Sequence, residues 1–80
     1  MALVGSFREV TTERDALHDP VECGWRRFRF EGTLILQLDT YGRPGRKLEG
    51  KVSQSIQLDE AGAGELLRLI KMTFPALRDA

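Results

Sequence analysis

The sequence predicts an α+β fold, a four-stranded antiparallel sheet followed by one C-terminal amphipathic helix. Two segments alternate apolar and polar residues with a period of two, Thr33–Tyr41 and Val52–Leu58. A third segment carries an apolar stripe at helical spacing between an acidic start and a proline stop. The chain has 80 residues, the length of one domain, and it is read as a single unit over 1–80.

The first segment, roughly Leu3–Thr12, has mixed periodicity and reads as a strand. Leu3 and Phe7 share one face, Val4 and Val10 the other. A turn follows, marked by Asp15, His18, Asp19 and Pro20. The second strand is Val21–Glu31. Val21, Cys23 and Trp25 alternate on one side, whereas Phe28 and Phe30 fall on the other parity. A β-bulge at Arg26-Arg27 would return all five to one face and leave the arginines as a compact exposed pair. Glu31-Gly32 is a tight turn into a hairpin. Thr33–Tyr41 follows, with Leu34, Leu36 and Leu38 expected on the core side. Ile35, Gln37, Asp39 and Tyr41 are expected on a wet or binding side. Gly42 to Lys51 is a basic loop with Arg43, Arg46, Lys47 and Lys51. The fourth strand sets Val52, Gln54, Ile56 and Leu58 against Ser53, Ser55 and Gln57.

Asp59 stands at the N-cap of the helix and Glu60 suits the dipole of its first turn. Ala63, Leu66, Leu67, Ile70 and Phe74 form the apolar stripe, and Pro75 ends it. Gly62 and Gly64 each cost about 1 kcal/mol relative to Ala, so the helix depends on packing. Leu69 and Met72 widen the apolar surface beyond what one small sheet needs, and these two mark the expected dimer seam.

Self-association is also expected by elimination. A chain this short buries only about 60% of its unfolded surface, and small scaffolds commonly add a staple. One cysteine, Cys23, forbids an internal disulfide. One histidine beside it leaves too few ligands for a closed zinc site. A homodimer remains, and neither metal nor cofactor is expected. The lone thiol, the lack of a signal-like leader and the absence of an apolar run near about 20 residues point to a cytoplasmic protein without membrane contact.

Formal net charge is zero but uneven: residues 1–23 carry −3, residues 24–51 carry +4 and residues 52–80 carry −1. Zero overall charge argues against a strong non-specific nucleic-acid binder, which usually has a pI above about 9. A local basic face is compatible with it. Gln37, Asp39 and Tyr41 on the third strand neighbour Ser53, Ser55 and Gln57 on the fourth. The loop between them adds its cations. Cations for phosphate, hydroxyls and amides for hydrogen bonds and an aromatic for stacking suit a single nucleic-acid strand. The same residues also suit an ordinary solvated sheet face. The run Trp25-Arg26-Arg27-Phe28-Arg29-Phe30 interleaves aromatics and cations as RNA- and DNA-binding strands do, or else fills the core with rings and wets its arginines.

Catalytic readings are weaker. Asp39 followed by Glu49-Gly50-Lys51 has the residue types of a magnesium-dependent nuclease, but the acids flank a loop in a chain too short for such a core. Cys23 alternates with Val21 and Trp25 and is expected to be buried and inert, and His18 lies in an acidic loop. No enzyme is expected, and no catalytic residue is assigned.

The second half of the chain runs from the strand Leu34-Ile35-Leu36-Gln37-Leu38-Asp39 into a basic Gly/Pro loop. Gly50-Lys51, Ser55-Ile56-Gln57-Leu58 and an acid-capped helix to Phe74 complete it. This order resembles the single-stranded-DNA-binding transcriptional coactivators of the positive-cofactor-four type and their small bacterial and phage relatives. The resemblance covers about Thr33–Phe74. It implies four antiparallel strands and a helix, dimerisation through the helices and single-strand binding on the sheet. It further implies phosphate contacts at Arg46, Lys47 and Lys51 and stacking on Tyr41, with Trp25 as core or platform. This chain departs in its neutral charge, in Ser53-Gln54-Ser55 before the last strand and in its acidic first third.

The expected function is therefore a small nucleic-acid-binding module acting in transcription regulation. Its binding residues would be Arg26, Arg27, Tyr41, Arg43, Arg46, Lys47, Lys51, Ser53 and Ser55. The alternative is a protein-interaction module, a small regulator or inhibitor of a protein partner.

Overall fold

A regular hairpin forms one side of the sheet. Strand β2 (Cys23–Phe30) pairs antiparallel with β3 (Thr33–Tyr41) in unbroken register from Cys23 opposite Thr40 to Phe30 opposite Thr33. The structure is a computed structural model and describes residues 1–42 and 51–80. The turn is the two-residue Glu31-Gly32, with φ of +51° and +85°. Left-handed backbone at both positions matches the twist of the flanking strands. Gly32 adopts it freely. Glu31 does so at a cost on the order of 1 kcal/mol. The Arg29 guanidinium donates to the Gly32 carbonyl at 3.4 Å and braces the turn.

Strand β4 (Val52–Leu58) adds antiparallel to β3, with Leu36 opposite Leu58, Leu38 opposite Ile56 and Gln37 opposite Gln57. Strand β1 (Ala2–Leu3) then pairs with β4 in parallel, Ala2 beside Ile56 and Leu3 beside Gln57. The Val4 N–H extends that pairing by donating to the Gln57 carbonyl at 2.9 Å. The sheet order is β1-β4-β3-β2, and the sheet is mixed. This corrects the antiparallel expectation and the span Leu3–Thr12 for the first strand. Alternation in that stretch is too irregular to hold a long strand, so pairing stops after two residues and residues 5–22 follow no regular secondary structure.

Helix α1 (Glu60–Thr73) starts where the sequence places it. The Asp59 carboxylate accepts from the Gly62 N–H at 2.8 Å, an N-cap bond. The Phe74 N–H donates back to the Ile70 carbonyl, and Pro75 opens a short 3₁₀ turn, Pro75–Leu77. On the surface of α1, Arg68 pairs with Glu65 one turn before it. No described helix is long and apolar enough to cross a membrane.

Because β2, β3 and β4 pair in simple register, their side chains sort onto two faces. One face carries Trp25, Arg27, Leu34, Leu36, Leu38, Ile56 and Leu58. The helix meets this face at its first turn, where a Cβ on Gly62 would stand 3.5 Å from Leu58 Cδ2. The other face carries Arg26, Phe28, Phe30, Ile35, Gln37, Asp39, Tyr41, Ser55 and Gln57.

Burial does not follow the expected division. The most buried β3 side chains are Ile35 and Gln37, from the set expected to be wet, while Leu34 is half exposed. The reason is position. Ile35 and Gln37 sit at the middle of β3, with Phe28 opposite Ile35 and Gln57 and Arg26 flanking Gln37. The helix covers only a corner of the leucine side. Leu58, at that corner, is 2% exposed, and no helix residue is fully buried.

The chain exposes 7458 Å². A compact monomer of 9.0 kDa exposes about 4900 Å². The radius of gyration, 14.9 Å, likewise exceeds the roughly 12 Å expected for 80 residues. Part of the excess, about 2600 Å² by that scaling, belongs to the exposed 5–22 stretch. Part is apolar surface on the helix and on the sheet face it meets: Trp25, Leu34, Ile56, Leu67, Met72 and Phe74 are all exposed.

Candidate nucleic-acid interface

The face opposite the helix carries a continuous line of polar side chains. Gln57 Nε2 donates to Gln37 Oε1 at 2.8 Å. Gln37 Nε2 donates to Asp39 Oδ1 at 2.9 Å, and Ser55 Oγ donates to the same oxygen at 2.5 Å. The line exists because Gln37 and Gln57 pair across the strands, as do Asp39 and Ser55 one step along. Each amide therefore lies within reach of the next. Gln37 is held at both ends, which is why a buried polar side chain is tolerated in the middle of the sheet.

Asp39 is the anionic end of the ladder. The hydrogen bond from Ser55 lowers its pKa most. The bond from Gln37 and the positive charge of Arg26 act the same way, against a desolvation that raises it. Asp39 thus stays ionised, fixed by partners that also fix its orientation. Tyr41 lies one step further, its ring against Gly24: a Cβ on Gly24 would come within 2.7 Å of the phenolic oxygen. Only glycine leaves room there for the ring to lie across β2.

Aromatic and cationic groups flank the ladder on β2. The Arg26 guanidinium stands 5.5 Å from the Phe28 ring centroid, a cation–π contact on the same face. Two cavities open along this face. One, about 490 Å³, lies towards the hairpin and is walled by Leu3, Phe28, Phe30 and Ile35. The other, about 270 Å³, lies over Gln37, Ser55 and Gln57. They share Leu3 and Gln57 and so form one trough running along the sheet.

Several sequence expectations are redistributed. There is no bulge at Arg26-Arg27; the β2–β3 register is unbroken, so the two arginines point to opposite faces. Arg26 joins the ladder face and Arg27 the helix face beside Leu36. The phase change along β2 has another cause: rings are used on both faces. Trp25 lies on the helix face, 68% exposed, while Phe28 and Phe30 line the trough. The irregularity falls instead between Thr40 and Tyr41. Gln54 pairs with Thr40 and Val52 with Tyr41, which leaves Ser53 as the extra residue. Ser53 is exposed and is not part of the ladder. Ser55 is. Cys23 is exposed rather than buried, because α1 packs on β3 and β4 and not on β2. Lys51 is exposed just before β4. Arg43, Arg46 and Lys47, and with them Glu49 and Gly50, lie outside the described residues.

Sequence reasoning raised Phe28 and Phe30 only within the run Trp25–Phe30, as binding rings or core, and did not single out Leu3. Unbroken alternation from Gly24 to Phe30 is the signal that would have placed both rings beside Ile35. On the helix, Leu69 is half-buried and Met72 is 63% exposed. Among the described residues no group of three or more His, Cys, Asp or Glu side chains converges as metal ligands would. A scan against protein-family models and searches of curated proteins and of solved structures give no match to this chain.

Proposed function

We propose that this chain is a non-catalytic module that binds single-stranded nucleic acid along the face opposite its helix. The observation that carries the reading is the trough. It has flat apolar walls from Phe28 and Phe30, an ordered floor of amide and carboxylate groups, and a cation beside it at Arg26. Bases have apolar faces and polar edges, so rings beside fixed hydrogen-bonding groups suit them. Arg26 and Lys51 are proposed phosphate contacts, Tyr41 a stacking ring and Ser55 a floor residue. Arg43, Arg46 and Lys47 are proposed on sequence grounds to extend the phosphate path. Kinship with the coactivator family is proposed on the same strand–loop–strand–helix order, with the parallel β1 as a topological departure.

The module is proposed to work as a homodimer joined through the helix face. Trp25 and Ile56 on that sheet face and Leu67 and Met72 on the helix are exposed. Zero net charge opposes no such association. The alternative, a different protein seated on the same apolar residues, draws on the same exposure.

The test is fluorescence anisotropy of a labelled single-stranded oligonucleotide at two salt concentrations. Binding that weakens steeply with salt, and weakens further in Arg26→Ala and Lys51→Ala, supports the reading. Each lost phosphate contact should flatten the logarithmic salt slope by about 0.7. No binding at low salt refutes it and leaves the protein-interaction alternative.

A further inference from the structure

The cavity at the hairpin end of the trough has one carboxylate among its polar lining groups. Its walls are apolar, and it also meets Glu31, Thr33 and Gln57. Glu31 is the notable one. It occupies a left-handed position, φ +51°, in a two-residue turn that asparagine or glycine would fill without strain. A side chain that fits its backbone poorly points to a use for that side chain. Ionised carboxylates only accept hydrogen bonds.

We propose that this cavity binds a guanine base, with the Glu31 carboxylate pairing to its Watson–Crick edge. The inference rests on the single-strand reading above and adds a base preference to it. Guanine presents two adjacent donors, N1–H and the N2 amino group, which match the two oxygens of one carboxylate. Thymine and uracil present a single N–H between two carbonyl oxygens, which a carboxylate repels. In adenine and cytosine the amino donor sits beside a ring-nitrogen acceptor, so only one bond forms. Phe28 and Phe30 supply stacking for the ring system. A cavity of about 490 Å³ holds a purine with room for its sugar at the open side.

The experiment compares labelled thymidine oligonucleotides that carry one central guanine, one central hypoxanthine or neither. Hypoxanthine keeps N1–H and loses the amino group. The expected order is guanine, then hypoxanthine, then thymine, with guanine tighter than thymine by about tenfold, the scale of one bidentate contact. Glu31→Gln should erase the preference, because its amide can pair equally with the N–H and an adjacent carbonyl of guanine or of thymine. Glu31→Asn should do the same while easing the turn, so loss of preference in it cannot be laid to misfolding. Equal affinity for guanine and thymine strands overturns the inference and leaves the single-strand reading standing. So does a preference that survives both substitutions. Failure to bind any strand overturns both. Guanosine monophosphate as competitor identifies the source. Displacement of the guanine strand means that a free guanine nucleotide suffices, and preference without displacement means that the base is read within a strand.

Discussion

Two glycines separated by one helical residue, Gly62 and Gly64, are predicted to respond in opposite ways to alanine. Gly64 has open space where its Cβ would be, so Gly64→Ala collects the full helix-propensity gain, about 1 kcal/mol. In a domain of this size that is a rise in Tm of roughly 4–8 °C. Gly62→Ala has the same intrinsic gain but meets two obstacles. Its Cβ would stand 3.3 Å from Asp59 Oδ1 and 3.3 Å from the Val4 carbonyl oxygen. The first atom is the N-cap acceptor for Gly62 itself, and displacing it puts at risk a cap worth about 1 kcal/mol. The second is backbone next to the Val4 N–H that bonds to Gln57, so yielding there strains the β1 pairing. The gain is therefore cancelled or reversed, and Gly62→Ala should leave Tm unchanged or lower it. Thermal denaturation followed by circular dichroism, at one fixed protein concentration because of the proposed dimer, measures both. Equal stabilisation by the two would refute the close approach of β1 to the helix start. No stabilisation by Gly64→Ala would refute the helix over Glu60–Thr73.

Leu58 is the best-buried side chain described, and Leu58→Ala should cost about 2–4 kcal/mol in chemical denaturation, with loss of under 1 kcal/mol counting against the packing at the helix corner. Asp39 has its pKa lowered from its ordinary value of 3.8, so its contribution to stability is present above that value and is lost as pH falls from there through the lower pKa of the folded state. Ser55→Ala, by removing the largest cause, should move the Asp39 titration upward in NMR; an unmoved titration would mean that the Ser55 bond is not made. Met72→Glu alters a residue already 63% exposed in the single chain, where surface substitutions fall within about 0.5 kcal/mol. It should nonetheless convert the protein to monomer in light scattering behind size exclusion, and a wild-type protein that is already monomeric would remove the seam.

Elements set by local chemistry were legible in the sequence. The hairpin turn, the spans of β3 and β4, the Asp59 cap and the stop at Pro75 each follow from residues within a few positions of one another. What was not legible depended on partners far along the chain. The parallel pairing of β1 with β4 joins residues 54 positions apart, and no pattern within Ala2–Leu3 reports it. Gln37 reads as a wet residue on alternation alone. Its burial follows from Gln57 and Asp39 satisfying its amide, which depends on strand register. On β2 the error ran the other way: assuming a single core face led to a bulge that two usable faces make unnecessary.

The two-residue strand β1 has a consequence for how the molecule opens. Its docking closes a long chain segment for only a few backbone hydrogen bonds, and closure entropy rises with segment length. It should be the last part of the sheet to assemble and the first to detach, well below the free energy of global unfolding. In hydrogen exchange, the Val4 amide should lose protection early while the amides of β3 keep theirs. Each detachment would uncover the outer hydrogen-bonding edge of β4, ready to pair with a strand from another molecule. The opposite edge, β2, carries Arg26, Arg27 and Arg29, charges that discourage such pairing. Aggregation, if it begins from the native state, should begin at β4 and rise with any substitution that loosens Leu3.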